Sequence, residues 1–226
     1  EQNRGSGAPR SLRASHIHPN GIQETTAHLE FGFVFHPKGY QPEYGNRARV
    51  RLGNGTDIDV VGGRAGQEFH AFAVLEQHTK LVAFEPHLHA PGTRMCIEAI
   101  WGSNHFTLNC VGYDHSWVKQ YVYEDDAAPL LPKGTIMHIV GFLDTTVANE
   151  NVADSRNWAG GGRRSVANMF IDLGYSVELT EEQFQSEMAD RRAKMKSRND
   201  YDIGCPLCWA PVPTEMTSTT DDGGQQ

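Results

Sequence analysis

His87 and His89 stand two residues apart in EPHLHAPG. In an extended strand, residues i and i+2 lie on the same face, so both imidazoles can reach one metal ion. Pro86 before the pair and Ala90-Pro91-Gly92 after it fix the chain direction there. The plainer alternative places one ring in solvent and hydrogen-bonds the other to a loop. A third donor, Met169, sits in the later strand-like segment SVANMFIDLGY. A thioether is a poor ligand for zinc and for hard cations but suits copper(I), and two histidines with one methionine form an open set that can also bind dioxygen. Packing in the core is the other ordinary role of such a methionine. Eleven histidines against four cysteines put imidazole chemistry before thiol chemistry.

Composition narrows the classes. With 226 residues, the chain can form one large β domain or two smaller units. Its 23 glycines and 11 prolines favour short strands joined by many turns. The formal charge is −8, and no segment clusters lysine and arginine with aromatics, which excludes nucleic acid as the main partner. No apolar run approaches the roughly 18 residues of a membrane span, and the start, EQNRGSGAPRSLR, lacks the apolar core of a signal peptide. The expectation is a soluble chain, either mature or a piece of something longer.

The elements that must position the candidate donors are mostly strands. Residues 1–14 predict a flexible lead-in. Residues 15–62 predict the end of a preceding β domain or added strands. Within them Leu29, Phe31, Phe33 and Phe35 alternate with other residues over 27–36, a strand period. Segments 47–53 and 56–61 flank Asn54-Gly55, a hairpin signal because both residues accept positive φ. Residues 63–178 predict a β-sandwich, with strands near 68–75, 80–86, 95–101, 105–111, 117–123, 135–142 and 166–173. Residues 179–199 predict a helix. Thr180 and Gln183 form a capping box, Leu179 staples onto Phe184, and Phe184, Met188 and Met195 make its apolar stripe. Residues 200–226 hold Cys205-Pro206-Leu207-Cys208 and a disordered tail.

The cysteines speak to compartment. A hairpin closing on Gly102-Ser103-Asn104 makes Cys96 and Cys110 cross-strand neighbours, close enough for a disulfide or for two packed thiols. Cys205 and Cys208 could form a disulfide, half of a metal knuckle or a redox pair. An oxidising, extracytoplasmic setting, periplasmic or secreted, is expected. Asp114 and Asp144 are candidates to orient a ligand imidazole, or to serve as turn and cap residues. His28 and His36 are expected to meet solvent, while His70, His78, His105, His115 and His138 are scattered over strands and turns.

The stretch EPHLHAPGTRMCIEAIWG, then YDHSWVKQYVYEDDAAPLLPKGTIMHIVGFLDTT, then the methionine segment, resembles the C-terminal domain of the copper type II, ascorbate-dependent monooxygenases, the peptidylglycine α-hydroxylating class, in its bacterial form. The likeness covers residues 65–178. It rests on the order HxH with a glycine, YDxxW, LPKGT, an Asp after an apolar strand, then Met. It implies a jelly-roll-like antiparallel β-sandwich in which His87, His89 and Met169 hold the copper that activates dioxygen for C–H hydroxylation. The substrate would be a small molecule or a peptide. His16, with His18 beside it as a substitute, matches the histidine of the second, electron-transferring copper. That copper's other ligands fall in an upstream histidine pair, so the resemblance implies an N-terminal domain cleaved off, another protein subunit, or a dispensable second copper. Ala167-Asn168 stand where bacterial relatives carry acidic residues, and Gly160-Gly161-Gly162-Arg163-Arg164 replaces a tighter approach. The alternative is a non-catalytic β-sandwich subunit of a larger extracytoplasmic assembly. A copper carrier or storage module is a third reading.

Overall fold

The computed structural model describes residues 22–24, 26, 28, 30, 32–44, 52–54, 58–157 and 160–194, with backbone alone at 48–49 and 195–198. The chain divides into two compact units, 1–41 and 42–226. In the first, residues 32–37 form no strand, and Val34 and Phe35 are fully and largely exposed. Phe33 stacks on Phe35 at 6.2 Å between centroids, and His36 on Tyr40 at 4.0 Å. The phenylalanine alternation therefore does not produce the expected strand among the described residues. A period of two supplies an apolar face but no partner for the backbone, and an unpaired strand is not stable.

The second unit is a mainly β, antiparallel sandwich with one C-terminal helix. One sheet has the order β3 (Gln67–Val74), β10 (Ile136–Leu143), β6 (Gly92–Trp101), β7 (Asn104–Gly112). A second runs β1 (Ala48–Arg49), β12 (Tyr175–Leu179), β4 (His78–Phe84), β8 (Tyr121–Val122), with β9 (Leu130–Leu131) also on β4. A third is β2 (Leu52–Asn54), β11 (Phe170–Asp172), β5 (Pro86–Leu88). The core joins Met95, Ile97 and Ala99 of β6 and Met137, Ile139 and Leu143 of β10 to Leu81 and Phe84 of β4, Leu88 of β5 and Phe170 of β11. Each fully buried leucine, isoleucine or phenylalanine contributes roughly 1.5–3 kcal/mol relative to exposure. Gly141 makes room for this packing, because a Cβ there would lie 2.5 Å from the Phe170 ring.

Three strand expectations are corrected. Asn54 ends β2, whose partner among the described residues is β11, and residues 55–57 lie outside the described residues. Gly53 has φ +136°, and a Cβ there would meet the Phe170 carbonyl oxygen at 2.2 Å, so this pairing requires glycine. Of 117–123 only Tyr121–Val122 is strand, since Asp114 Oδ1 accepts the Ser116 N–H and turns the chain before it. Of 166–173 only Phe170–Asp172 is strand, and a further strand, Tyr175–Leu179, follows it. Asp172 Oδ1 accepts N–H bonds from Glu85 and Gly174 at the break, and β12 resumes one strand-width along, against β4 instead of β5.

Cys96 pairs with Cys110 and the two are disulfide-bonded. The route to that register differs from the expected one. The turn has two residues, Gly102 (φ +59°) and Ser103, and Trp101 pairs with Asn104. A bulge between Ile97 and Glu98 then leaves Leu108 unpaired and shifts the register by one, which brings Cys110 opposite Cys96.

The helix α1 (Glu181–Arg198) begins as its sequence predicts. Gln183 N–H donates to Thr180 Oγ1 at 3.2 Å, and Thr180 N–H to Gln183 Oε1 at 2.9 Å. Phe184 and Met188 pack with Leu130, Val177 and Leu179. Arg191 is not on the solvent face: it is buried and donates to the carbonyls of Ala128 and Asp125. Lys80, also buried, donates to Asp125 at 2.7 Å and to Glu187 at 3.0 Å. The helix is thus docked on the β4–β12 side by apolar and charged contacts together.

Candidate metal centre

Leu88 pairs with Phe170, and His87 with Ile171. His89 and Met169 each lie one residue beyond the ends of these two strands. Leu88 and Phe170 are buried in the core, so by strand alternation the paired His87 and Ile171 face away from it. The His87 and His89 rings lie 5.3 Å apart between centroids, nearly perpendicular. The plainer alternative from the sequence holds in half: His89, only 6% exposed, hydrogen-bonds the loop at Ala167, while His87 is half-buried and does not stand fully in solvent.

His89 is oriented by the backbone. Its Nδ1 lies 3.0 Å from the Ala167 carbonyl oxygen, and a neutral ring that donates from Nδ1 carries its lone pair at Nε2, the form a metal ligand needs. Met169 is two residues beyond Ala167 and is half-buried. The segment that carries both is held locally. Asn168, fully buried, donates its N–H to the Gly160 carbonyl at 2.9 Å and accepts the Gly162 N–H at 3.0 Å. Ala90 N–H reaches the Ser165 carbonyl at 3.2 Å, which ties the end of the histidine strand to the same loop. An open cavity of about 480 Å³ lies between Gly160 and Ala167, with Arg163 and Arg164 on its rim. Tyr113 donates its hydroxyl to the Leu88 carbonyl, between the two histidines in sequence, and burial pushes its phenol up to about 12, so it stays protonated.

Two imidazoles and a thioether, where they share one ion, would suit a soft or borderline metal, and copper(I) before zinc. Sequence reasoning missed the Ala167 carbonyl, a backbone acceptor with no sequence signal. Asp114 and Asp144 take the turn role, since each accepts the backbone N–H two residues on, from Ser116 and Thr146, both at 2.8 Å. His16 and His18, the histidines assigned to a second copper, and the Cys205–Cys208 pair lie outside the described residues. His70, His105 and His138, which the sequence leaves scattered, converge with Glu98 on the outer face of the β3-β10-β6-β7 sheet. Among the described residues, no helix is long and apolar enough to cross a membrane. In comparisons with known proteins, no family model and no curated protein matches the chain.

Proposed function

We propose that the chain is a copper-binding oxidoreductase domain of the type II monooxygenase class, with His87, His89 and Met169 as the ligands. The observation that supports this reading is the approach of the His87 and His89 rings to 5.3 Å, with His89 Nδ1 on the carbonyl of Ala167, two residues before Met169. Copper, when bound, supplies one-electron chemistry toward dioxygen for attack on a C–H bond. The residues of the chain hold the site ready for it. Ala167 fixes the His89 tautomer, Met169 favours the reduced ion, and the packed strands keep the donors from rearranging. The cavity beside Ala167 falls within the size range of small-molecule sites and is where a small-molecule or peptide substrate would lie. The Cys96–Cys110 disulfide supports a periplasmic or secreted setting.

A second reading, a non-catalytic subunit of a larger assembly, draws on the exposure of Trp117, Val118 and Val122 around β8. Such a cluster of apolar side chains marks a contact surface when a partner covers it. Oxygen consumption separates the two. The copper-loaded chain, given ascorbate, is expected to take up oxygen above the rate of the same copper free in buffer. His87→Ala/His89→Ala should fall to the free-copper rate. A chain that purifies without copper, shows no uptake after loading, and stays bound to a partner protein would support the subunit instead.

A further inference from the structure

On the outer face of the β3-β10-β6-β7 sheet, long-range register assembles residues that are far apart in sequence. Glu98 of β6 is the direct partner of His138 on β10. His105 reaches the same carboxylate from β7. His138 Nδ1 lies 2.7 Å and His105 Nε2 2.9 Å from Glu98 Oε2, and these three donor atoms all fall within 4.8 Å of one another. Thr107 Oγ1 approaches the other carboxylate oxygen at 3.5 Å. Behind the cluster, His138 Nε2 lies 3.0 Å from His70 Nδ1, and His70 Nε2 lies 3.8 Å from Glu68. The Phe72 ring stacks on His138 at 4.1 Å and 2°, so the imidazole plane is fixed. The Cys96–Cys110 disulfide pins β6 to β7 two residues from Glu98 on the same face.

We propose that Glu98, His105 and His138 form a second metal site, separate in place and chemistry from His87, His89 and Met169, that takes a borderline divalent ion of the zinc type. The donor set is two imidazoles and one carboxylate with no sulfur, which fits zinc and gives no advantage to copper(I). Three such ligands leave a fourth tetrahedral position open to water, and His105, half-exposed, marks the side from which the ion enters. The surroundings supply what a ligand histidine needs on its far side. When His138 gives its Nδ1 lone pair to the ion, its Nε2–H points at His70 Nδ1, and His70 in turn points at Glu68, a chain of the kind that orients metal-bound imidazoles. All three residues lie on paired strands, which hold ligands more firmly than loops do.

Zinc binding by the full chain tests this, in a background without the other strong donors: His87→Ala, His89→Ala, Cys205→Ser and Cys208→Ser. Equilibrium dialysis of that chain against zinc at pH 7.5, followed by metal analysis, is expected to retain about one ion per chain. Adding Glu98→Gln and His105→Ala should remove that ion while the circular dichroism spectrum stays unchanged, because Glu98→Gln preserves shape and His105 is half-exposed. A background chain that retains no zinc, or one whose zinc survives Glu98→Gln/His105→Ala, would overturn the proposal. Either result leaves the copper reading untouched, since the background already lacks its histidines.

Discussion

His87→Ala/His89→Ala is expected to lose the one equivalent of copper(I) that the unaltered chain retains after anaerobic loading and gel filtration. In the proposed site both rings serve one ion, and Met169 alone is a single donor that copper leaves readily. The fold should survive, because neither ring belongs to the core whose members on these strands are Leu88 and Phe170. Met169→Leu should behave differently. The exchange keeps volume, costs under about 1.5 kcal/mol in stability, and removes only the sulfur. Its copper(I) affinity should fall by at least about tenfold, equivalent to about 1.4 kcal/mol, while copper(II), indifferent to thioether, should be held nearly as before. Unchanged copper(I) stoichiometry in the double histidine variant would remove the site from consideration.

The second large effect concerns Asp172, which is fully buried where β11 hands over to β12. Burial raises its pKa to about 7, against the opposing pull of hydrogen bonds from the Glu85 and Gly174 N–H groups to Oδ1. Among the described residues, its Oδ2 has no hydrogen-bond partner. A carboxyl with a folded pKa above its unfolded value of about 3.9 binds its proton more tightly when folded, so its contribution to stability is greatest below about pH 4. That contribution declines as pH rises toward 7 and is gone above it, a change on the order of 3–4 kcal/mol. Asp172→Asn can still accept both N–H bonds and carries no charge. Urea unfolding from pH 4 to pH 8 should therefore show a stability loss in the unaltered chain that is largely absent in Asp172→Asn. Equal slopes in the two proteins would show that Asp172 does not carry this dependence.

The features legible in the sequence were those set by neighbours in the chain. The helix start needed only Thr180, Gln183, Leu179 and Phe184, all within one turn, and the structure forms each of those contacts. The closeness of His87 and His89 follows from their spacing of two, and their rings lie 5.3 Å apart. Cys96 and Cys110 were matched correctly, yet through a two-residue turn and a bulge at Leu108 rather than a three-residue turn. Bulges have no reliable sequence signal, and here two departures of one residue each cancelled. What the sequence did not show depended on partners far along the chain. The phenylalanines of 27–36 have the right period but no strand beside them among the described residues. Arg191 looks like a helix-end charge, and only the Ala128 and Asp125 carbonyls 60-odd residues away turn it inward. The Glu98, His105 and His138 cluster likewise needs the β6–β10 and β6–β7 registers together, and neither follows from composition or period.

The most direct test of the copper reading is X-ray absorption at the copper edge of the copper(I)-loaded Cys205→Ser/Cys208→Ser chain, compared with the same chain carrying Met169→Leu. The thiols of Cys205 and Cys208 are removed so that they cannot supply the sulfur, and Cys96 and Cys110 are already joined. The His87, His89 and Met169 site predicts two imidazoles and one sulfur bonded to copper in the first protein, and the same imidazoles without sulfur in the second. A copper bound only by nitrogen and oxygen in the first protein, or a sulfur that persists in Met169→Leu, would contradict it.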